Sequence, residues 1–215
     1  MEKTDYILEK FSQSQSKVFF VQIGAGDGII HDPIRFFIKK YNWSGILIEP
    51  VPYVYNKLIE GYKENTSLVF ENLAISEKAE TRKFWHLHET DDALPEWYHL
   101  LGTFNKDVIV KHVDEIPTLY DHLVSTDITC ITLEDLFQKH NVSEIDLLSI
   151  DTEGYDFEII KQFDFSSFLP KIVIYEQIHL HPKDYLACQE YLKDLGYMIY
   201  EAQYNTVAYR IPVDI

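Results

Sequence analysis

Four side chains able to move a proton or hold a cation follow closely on apolar runs in the second half of the chain: Asp151 and Glu153 after Ile145–Ile150, Glu176 after Ile172–Tyr175, and His179 just beyond. Histidine has the ordinary pKa best matched to base work near neutral pH. The three carboxylates Asp151, Glu153 and Glu176 could instead collect Mg²⁺, because carboxylate oxygens suit a hard divalent ion. A plainer reading has Glu153 capping the helix after it and Glu176 paired with a lysine. Nearer the N-terminus, Gly24-Ala25-Gly26-Asp27-Gly28 and Glu49 offer another chemistry. Glycines let a ligand approach the backbone and permit φ > 0. An acidic residue at a strand end roughly 20 residues after such a loop is where a ribose presents its hydroxyls.

These positions make sense as strand ends on one edge of a parallel sheet. Val18–Ile23 reads as a buried strand entering the glycine loop, with Asp32 capping the helix after it and Pro33 at that helix's first position. Ile46–Ile48 is a second strand ending in Glu49-Pro50, followed by a helix with Val54, Leu58 and Ile59 on its buried stripe. Ser67–Phe70 is a third strand, and Glu71-Asn72-Leu73-Ala74-Ile75-Ser76 its strand-end loop. A short helix is expected earlier, over Tyr6–Phe11. Alternation resumes with Thr129–Ile131, a helix over Leu133–His140 capped by Thr132, the strand Ile145–Ile150, a helix over Tyr155–Phe163, the strand Ile172–Tyr175 and a helix over Pro182–Leu195. Tyr197–Glu201 and Thr206–Arg210 form a closing hairpin. The pattern predicts an α/β fold: a mainly parallel sheet with a reversed strand at its edge.

Between about Glu77 and Ser125 this alternation breaks. The stretch holds Trp85, Trp97, Tyr98 and five of the nine histidines, His86, His88, His99, His112 and His122. It reads as an insertion over the site, or as an antiparallel ornament with exposed histidines. Arg82–Leu87 has strand character, and Asn105–His112 suits strand or helix. Its aromatic residues could stack on sugar faces or belong to a core.

Length and charge narrow the setting. At 215 residues and 25.3 kDa, with apolar runs spread evenly, the chain suits a single domain spanning residues 1–215. Its 35 acidic against 19 basic residues give a formal charge of -16, which repels DNA, RNA and anionic membranes. No apolar stretch approaches the ~18 residues of a membrane span, and the N-terminus is polar and acidic, so a soluble, cytoplasmic protein is expected. Cys130 and Cys188 each lie in an apolar segment, as core thiols of a reducing compartment do.

A dinucleotide fingerprint would need a further glycine at position 29, where Ile29 stands. The pyrophosphate cradle is therefore incomplete. A nucleoside without phosphates needs no such cradle, and a cationic one is drawn to Asp27 and Asp151; S-adenosylmethionine is such a ligand. Val21–Gly28, Gly45–Pro50, Asn72–Ser76 and Ile145–Asp156, in that order, resemble the FkbM family of S-adenosylmethionine-dependent methyltransferases from about Lys17 to Tyr200. The resemblance implies a Rossmann-like class I methyltransferase fold, with a mainly parallel seven-stranded sheet, helices on both faces and an antiparallel C-terminal hairpin. It further implies that Gly24, Ala25 and Gly26 pass beneath the methionine part with Asp27 beside it. Glu49, with Pro50 next to it, would hold the ribose, Asn72, Leu73 and Ala74 would flank the adenine, and Asp151 would lie near the methyl donor. The chain departs from its relatives at Gln22, often acidic there, at Gly26, often asparagine, and at Asp156, often glutamate.

The resemblance makes O-methylation of a hydroxyl on a sugar, glycan or natural product the leading expectation, with His179, Asp151, Glu153 and Glu176 as catalytic candidates. A catalytically inactive cofactor-binding scaffold or sensor is the alternative. An NAD-dependent sugar-modifying enzyme is weakened by the missing glycine.

Overall fold

The computed structural model describes residues 2–212. Apolar runs that are buried on both faces become the middle of a sheet, and amphipathic segments between them become its covering helices. In chain order the elements are α1 (Lys3–Ser14), β1 (Phe19–Ile23), α2 (Arg35–Tyr41), β2 (Ser44–Ile48), α3 (Pro52–Gly61), β3 (Leu68–Glu71), β4 (Ala74–Ile75), β5 (Glu80–Leu87), β6 (Gly102–Thr103), α4 (Lys106–Val110), α5 (Leu119–His122), β7 (Leu123–Ile131), α6 (Leu133–Lys139), β8 (Leu147–Ile150), α7 (Asp156–Gln162), β9 (Ile172–Glu176), α8 (Pro182–Asp194), β10 (Met198–Glu201) and β11 (Asn205–Tyr209).

The main sheet has seven strands in the order β10-β11-β9-β8-β1-β2-β3. The five neighbours β9, β8, β1, β2 and β3 pair in parallel, while β11 is antiparallel to both β9 and β10. Side chains alternate between two cores, as the two-residue period of a strand requires. Val21, Ile46, Ile48, Leu148 and Val173 point to one face, packed with Leu136, Ile160 and Leu192 of the later helices. Phe20, Leu47, Leu147 and Ile174 point to the other, packed with Leu8, Phe11, Phe37 and Leu58. Trp43 anchors that second core, with the rings of Phe11, Phe20 and Phe37 at 5.7, 6.1 and 6.0 Å. Each fully buried side chain of this size contributes about 1.5–3 kcal/mol.

A second sheet of four strands, in the order β4-β7-β5-β6, stands beside the first. It reaches from Ala74 to Ile131, beyond the expected stretch of 77–125 at both ends. Thr129–Ile131, expected to resume the main sheet, is the end of β7. Its long antiparallel ladder with β5, from Glu80↔Cys130 to Leu87↔Leu123, draws it away. Ala74–Ile75, expected within a loop, pairs with Cys130–Ile131 as β4.

Smaller departures have local causes. Helix α1 is longer than Tyr6–Phe11 because Ile7, Leu8 and Phe11 give it a buried stripe. Asp32 Oδ1 accepts the amides of Ile34 (2.9 Å) and Arg35 (3.0 Å), so α2 begins at Arg35 and Pro33 lies in the turn before it. Ile59 is 36% exposed, and Tyr62 takes the expected place on the buried stripe with Val54 and Leu58. Thr132 and Asp135 cap α6 reciprocally, as a capping box. Asn105–Val110 resolves as helix, with Asn105 as its cap. Cys130 and Cys188 are free and buried. No helix among the described residues is long and apolar enough to cross a membrane.

Candidate active site

The C-terminal ends of β1, β2, β8 and β9 converge on a cavity of about 570 Å³, within the usual range of ligand sites. One end is made by the glycine loop. Gly24 (φ +76°) and Ala25 both donate their amides to Ile48 O at 2.9 Å, which folds the loop back over β2. A Cβ at Gly24 would lie 1.7 Å from the carbonyl oxygen of Asp151. The loops after β1 and β8 are thus in backbone contact, which only glycine permits.

Glu49 is buried and divides its carboxylate between two amides: Gly26 N to Oε2 at 3.0 Å and Val51 N to Oε1 at 2.8 Å. Burial pushes it up to about 7 against those two bonds, and the charge of Asp27 adds to the push. Asn72 donates its side-chain amide to the carbonyls of Glu49 (2.8 Å) and Pro50 (3.0 Å), so it shapes this loop and is not part of the cavity wall. Asp27 is also outside the wall. Its Oδ1 accepts the amides of Ile29 and Ile30, and its Oδ2 faces His99 Nε2 at 3.1 Å. Burial raises its pKa, but the bond to His99 and the two amides outweigh that, holding Asp27 below the usual carboxylate range. Of the residues expected around the cofactor, Gly24, Ala25, Gly26, Glu49, Pro50, Leu73 and Ala74 line the cavity.

The other end is acidic. Asp151, Glu153, Glu176 and His179 all line it. Asp151 is open to the cavity at the foot of this concave wall. Enclosure by protein and the charges of Asp156, Glu49 and Asp32 push its carboxyl upward. Glu153 has a left-handed backbone (φ +53°) and is followed by Gly154 at +95°, so it does not continue into or cap α7. Its Oε2 lies 3.1 Å from His179 Nε2, and Glu176 Oε1 lies 3.8 Å from the same nitrogen. The reading of Glu176 as a lysine partner thus gives way to a histidine neighbour. Burial and the surrounding carboxylates raise both glutamates well above their ordinary value, while burial, then His112 and Lys111, push His179 down to about 4. Glu153, Glu176 and His179 are the three donors brought within 4.8 Å of one another, so His179 takes the place expected for Asp151 in the possible Mg²⁺ group.

Sequence reasoning gave no role to several residues that shape this cavity. Gln22 is buried on its wall with Oε1 unpartnered. From the second sheet, Thr103 Oγ1 donates to Glu153 O at 3.0 Å, and Phe104 meets the ring of Tyr155 edge-on at 5.4 Å. His112 lines the cavity with its ring 5.6 Å from that of His179. The expectation of exposed histidines in this stretch fails for His86, His99 and His122, which are buried and hydrogen-bonded. Trp97 reaches the cavity, whereas Trp85 and Tyr98 pack against the local core of Leu87, Leu101 and Ile109.

A parallel sheet reversed only at β11, with its crevice at the paired strands β1 and β8, from which the chain crosses to β2 on one side and to β9 on the other, defines the class I methyltransferase fold. Within that class the chain belongs to the methyltransferase FkbM domain family, which it matches over residues 22–199. The crystal structure of methyltransferase FkbM from Methylobacillus flagellatus KT is similar at 15% identity and a TM-score of 0.54, over 90% of this chain. The chain spans 43% of that structure's length. A precorrin-6y C5,15-methyltransferase from Geobacter metallireducens GS-15 aligns at 11% identity and a TM-score of 0.46, over 95% of this chain and 86% of its own. The N-terminal domain of human METTL16, in complex with SAH, aligns at 10% and 0.46, over 95% of this chain and 66% of its own. No curated protein matches the sequence.

Proposed function

We propose that this chain is an S-adenosylmethionine-dependent O-methyltransferase acting on a hydroxyl of a sugar, glycan or natural product. The observation that carries the reading is the shape of one cavity: a backbone cradle with a ribose-type glutamate at one end, and a cluster of proton-accepting side chains at the other. The residues at the first end fit the cofactor. Glu49 uses one lone pair of each oxygen on an amide and keeps the other for a ribose hydroxyl. Gln22 Oε1, a buried acceptor without a partner, suits the donor's ammonium group at the position where relatives often carry an acid. Leu73 and Ala74 supply an apolar wall for the adenine. Asn72 and Asp27 act indirectly, by fixing the loops.

Asp151 stands where the two ends meet, its carbonyl under Gly24 and its side chain on the cavity. There it takes the proton of the acceptor hydroxyl. The oxygen's electron pair forms the new O–C bond, the C–S bond breaks, and its pair stays on sulfur. The products are a methyl ether, S-adenosylhomocysteine and a proton. Alignment of this kind supplies about 7–11 kcal/mol and a positioned base about 10²–10⁴-fold. The second sheet, held to Glu153 through Thr103, is the wall of the acceptor end, and the acidic chain favours a small or glycan acceptor over a polynucleotide.

Calorimetric titration of the purified chain with S-adenosylmethionine and with NAD tests the cofactor, and mass spectrometry of S-adenosylhomocysteine formed with hydroxylated acceptors tests the reaction. Micromolar binding of S-adenosylmethionine alone is expected. Failure to bind it sinks the proposal, and binding without turnover of any acceptor favours the inactive scaffold.

A further inference from the structure

We propose that Glu153, Glu176 and His179 form a binding site for one divalent first-row transition cation, of the Mn²⁺ or Zn²⁺ kind. Donors that share an ion at about 2.0–2.2 Å stand about 3–4 Å apart. His179 Nε2 lies 3.1 Å from Glu153 Oε2 and 3.8 Å from Glu176 Oε1, ligand spacing to both carboxylates, and the three donors lie within 4.8 Å of one another.

The second observation is independent of that spacing. The side chains of Glu176 and His179 are each 9% exposed, and Glu153 and Glu176 each hold a buried oxygen, Oε2, with no hydrogen-bond partner. Among the described residues no lysine or arginine pairs with either glutamate. Buried carboxylate oxygens are costly unless something positive meets them. Next to them, His112 also lines the cavity and holds a buried Nε2 without a partner. Glu153 also adopts a left-handed backbone (φ +53°), a conformation unfavourable to a non-glycine residue. Strain of this sort persists where surrounding structure fixes a side chain for a task.

The donor set selects the ion. Two carboxylates alone would suit Mg²⁺, but an imidazole nitrogen shifts preference towards Mn²⁺, Fe²⁺ and Zn²⁺. The site's use rests on the proposed methyl transfer: a hydroxyl bound to such a cation gives up its proton more readily. Cation binding itself does not require that reaction.

The test is titration of the full chain, stripped with EDTA, with MnCl₂ followed by the EPR signal of free Mn²⁺, and with ZnCl₂ and MgCl₂ by calorimetry. One saturable Mn²⁺ site of micromolar affinity is expected, with Mg²⁺ at least about tenfold weaker. Glu176→Gln and His179→Gln should each weaken Mn²⁺ by about 10-fold or more, while Glu190→Gln, an exposed acid on α8, leaves it unchanged. Pulsed EPR of the unmutated protein should show Mn²⁺ coupled to an imidazole nitrogen, a readout that needs no variant to fold. No saturable binding of Mn²⁺ or Zn²⁺, equal affinity for Mg²⁺, absence of nitrogen coupling, or unaltered affinity in both variants overturns the site. If S-adenosylmethionine fails to bind while Mn²⁺ binds, the methyl-transfer reading falls and the cation site stands; the converse result separates them the other way.

Discussion

At the glycine-loop end of the cavity, Glu49 spends both oxygens on amides and Asp27 is bonded by Ile29, Ile30 and His99. At the opposite end Glu153 Oε2 and Glu176 Oε2 accept nothing, although they are equally shielded. The first end is a finished scaffold, in which each charge is answered within the fold. The second leaves buried carboxyl oxygens without a hydrogen-bond donor, which is what a site for an external proton, cation or polar acceptor needs. Stability is expected to depend on the first end, and turnover on the second.

The largest effect that would sharpen this contrast is expected from Gly24→Ala. Its Cβ would collide with the Asp151 carbonyl and its φ is unfavourable to alanine. A stability loss of about 3 kcal/mol or more and no measurable S-adenosylmethionine binding are expected, read by thermal unfolding and calorimetry. Glu49→Ala should follow. It strips two amides of their partner and removes the ribose acceptor, weakening cofactor binding by about 10–100-fold. Unchanged affinity in that variant would break the ribose assignment.

A several-fold effect is expected from pH. Glu49 titrates near 7 in the folded chain, so affinity for S-adenosylmethionine should rise between pH 6 and 8 as the carboxylate forms, and Glu49→Gln should flatten the rise. Without ligand the sign reverses. The folded chain holds that proton more tightly than the unfolded chain, so stability falls as pH climbs from the ordinary value of 4.5 towards 7 and then levels off. Asp27 works oppositely: its lowered pKa favours folding above the ordinary value of 3.8, and that contribution is lost in stronger acid. The smallest change should come from Thr103→Val, which removes the bond to Glu153 O. About 1 kcal/mol of stability and a few-fold drop in kcat are expected, with cofactor affinity retained.

The same contrast explains what could be read from the sequence. The glycine loop, Glu49 and the strand ends at Asp151 and Glu176 are local features, each a short motif at the end of an apolar run. The clasp of His99 on Asp27 joins residues 72 apart, and the bond from Thr103 to Glu153 joins residues 50 apart. No spacing rule reports such pairs. Nor does the two-residue period of Thr129–Ile131 say which sheet it joins. That choice was made by β5, whose ladder with β7 offers more pairing than the main sheet does. Gln22 stood out only as a departure from its relatives and His112 only as one histidine among five, because an unpartnered polar atom is a property of the packed interior.

The central position of β1 between β2 and β8 also has a consequence during synthesis. Phe19 N binds Asp146 Oδ2, its partner at the sheet's midline, 127 residues further along the chain. A ribosome has made β1, β2, β3 and the whole second sheet before that partner emerges. Until then the first strands form a half-sheet with a bare hydrogen-bonding edge and one uncovered apolar face. The nascent chain therefore passes through a long interval in which sticking to a neighbour competes with folding, so chaperone capture should raise the soluble yield and slower translation ahead of Leu147 should lower it.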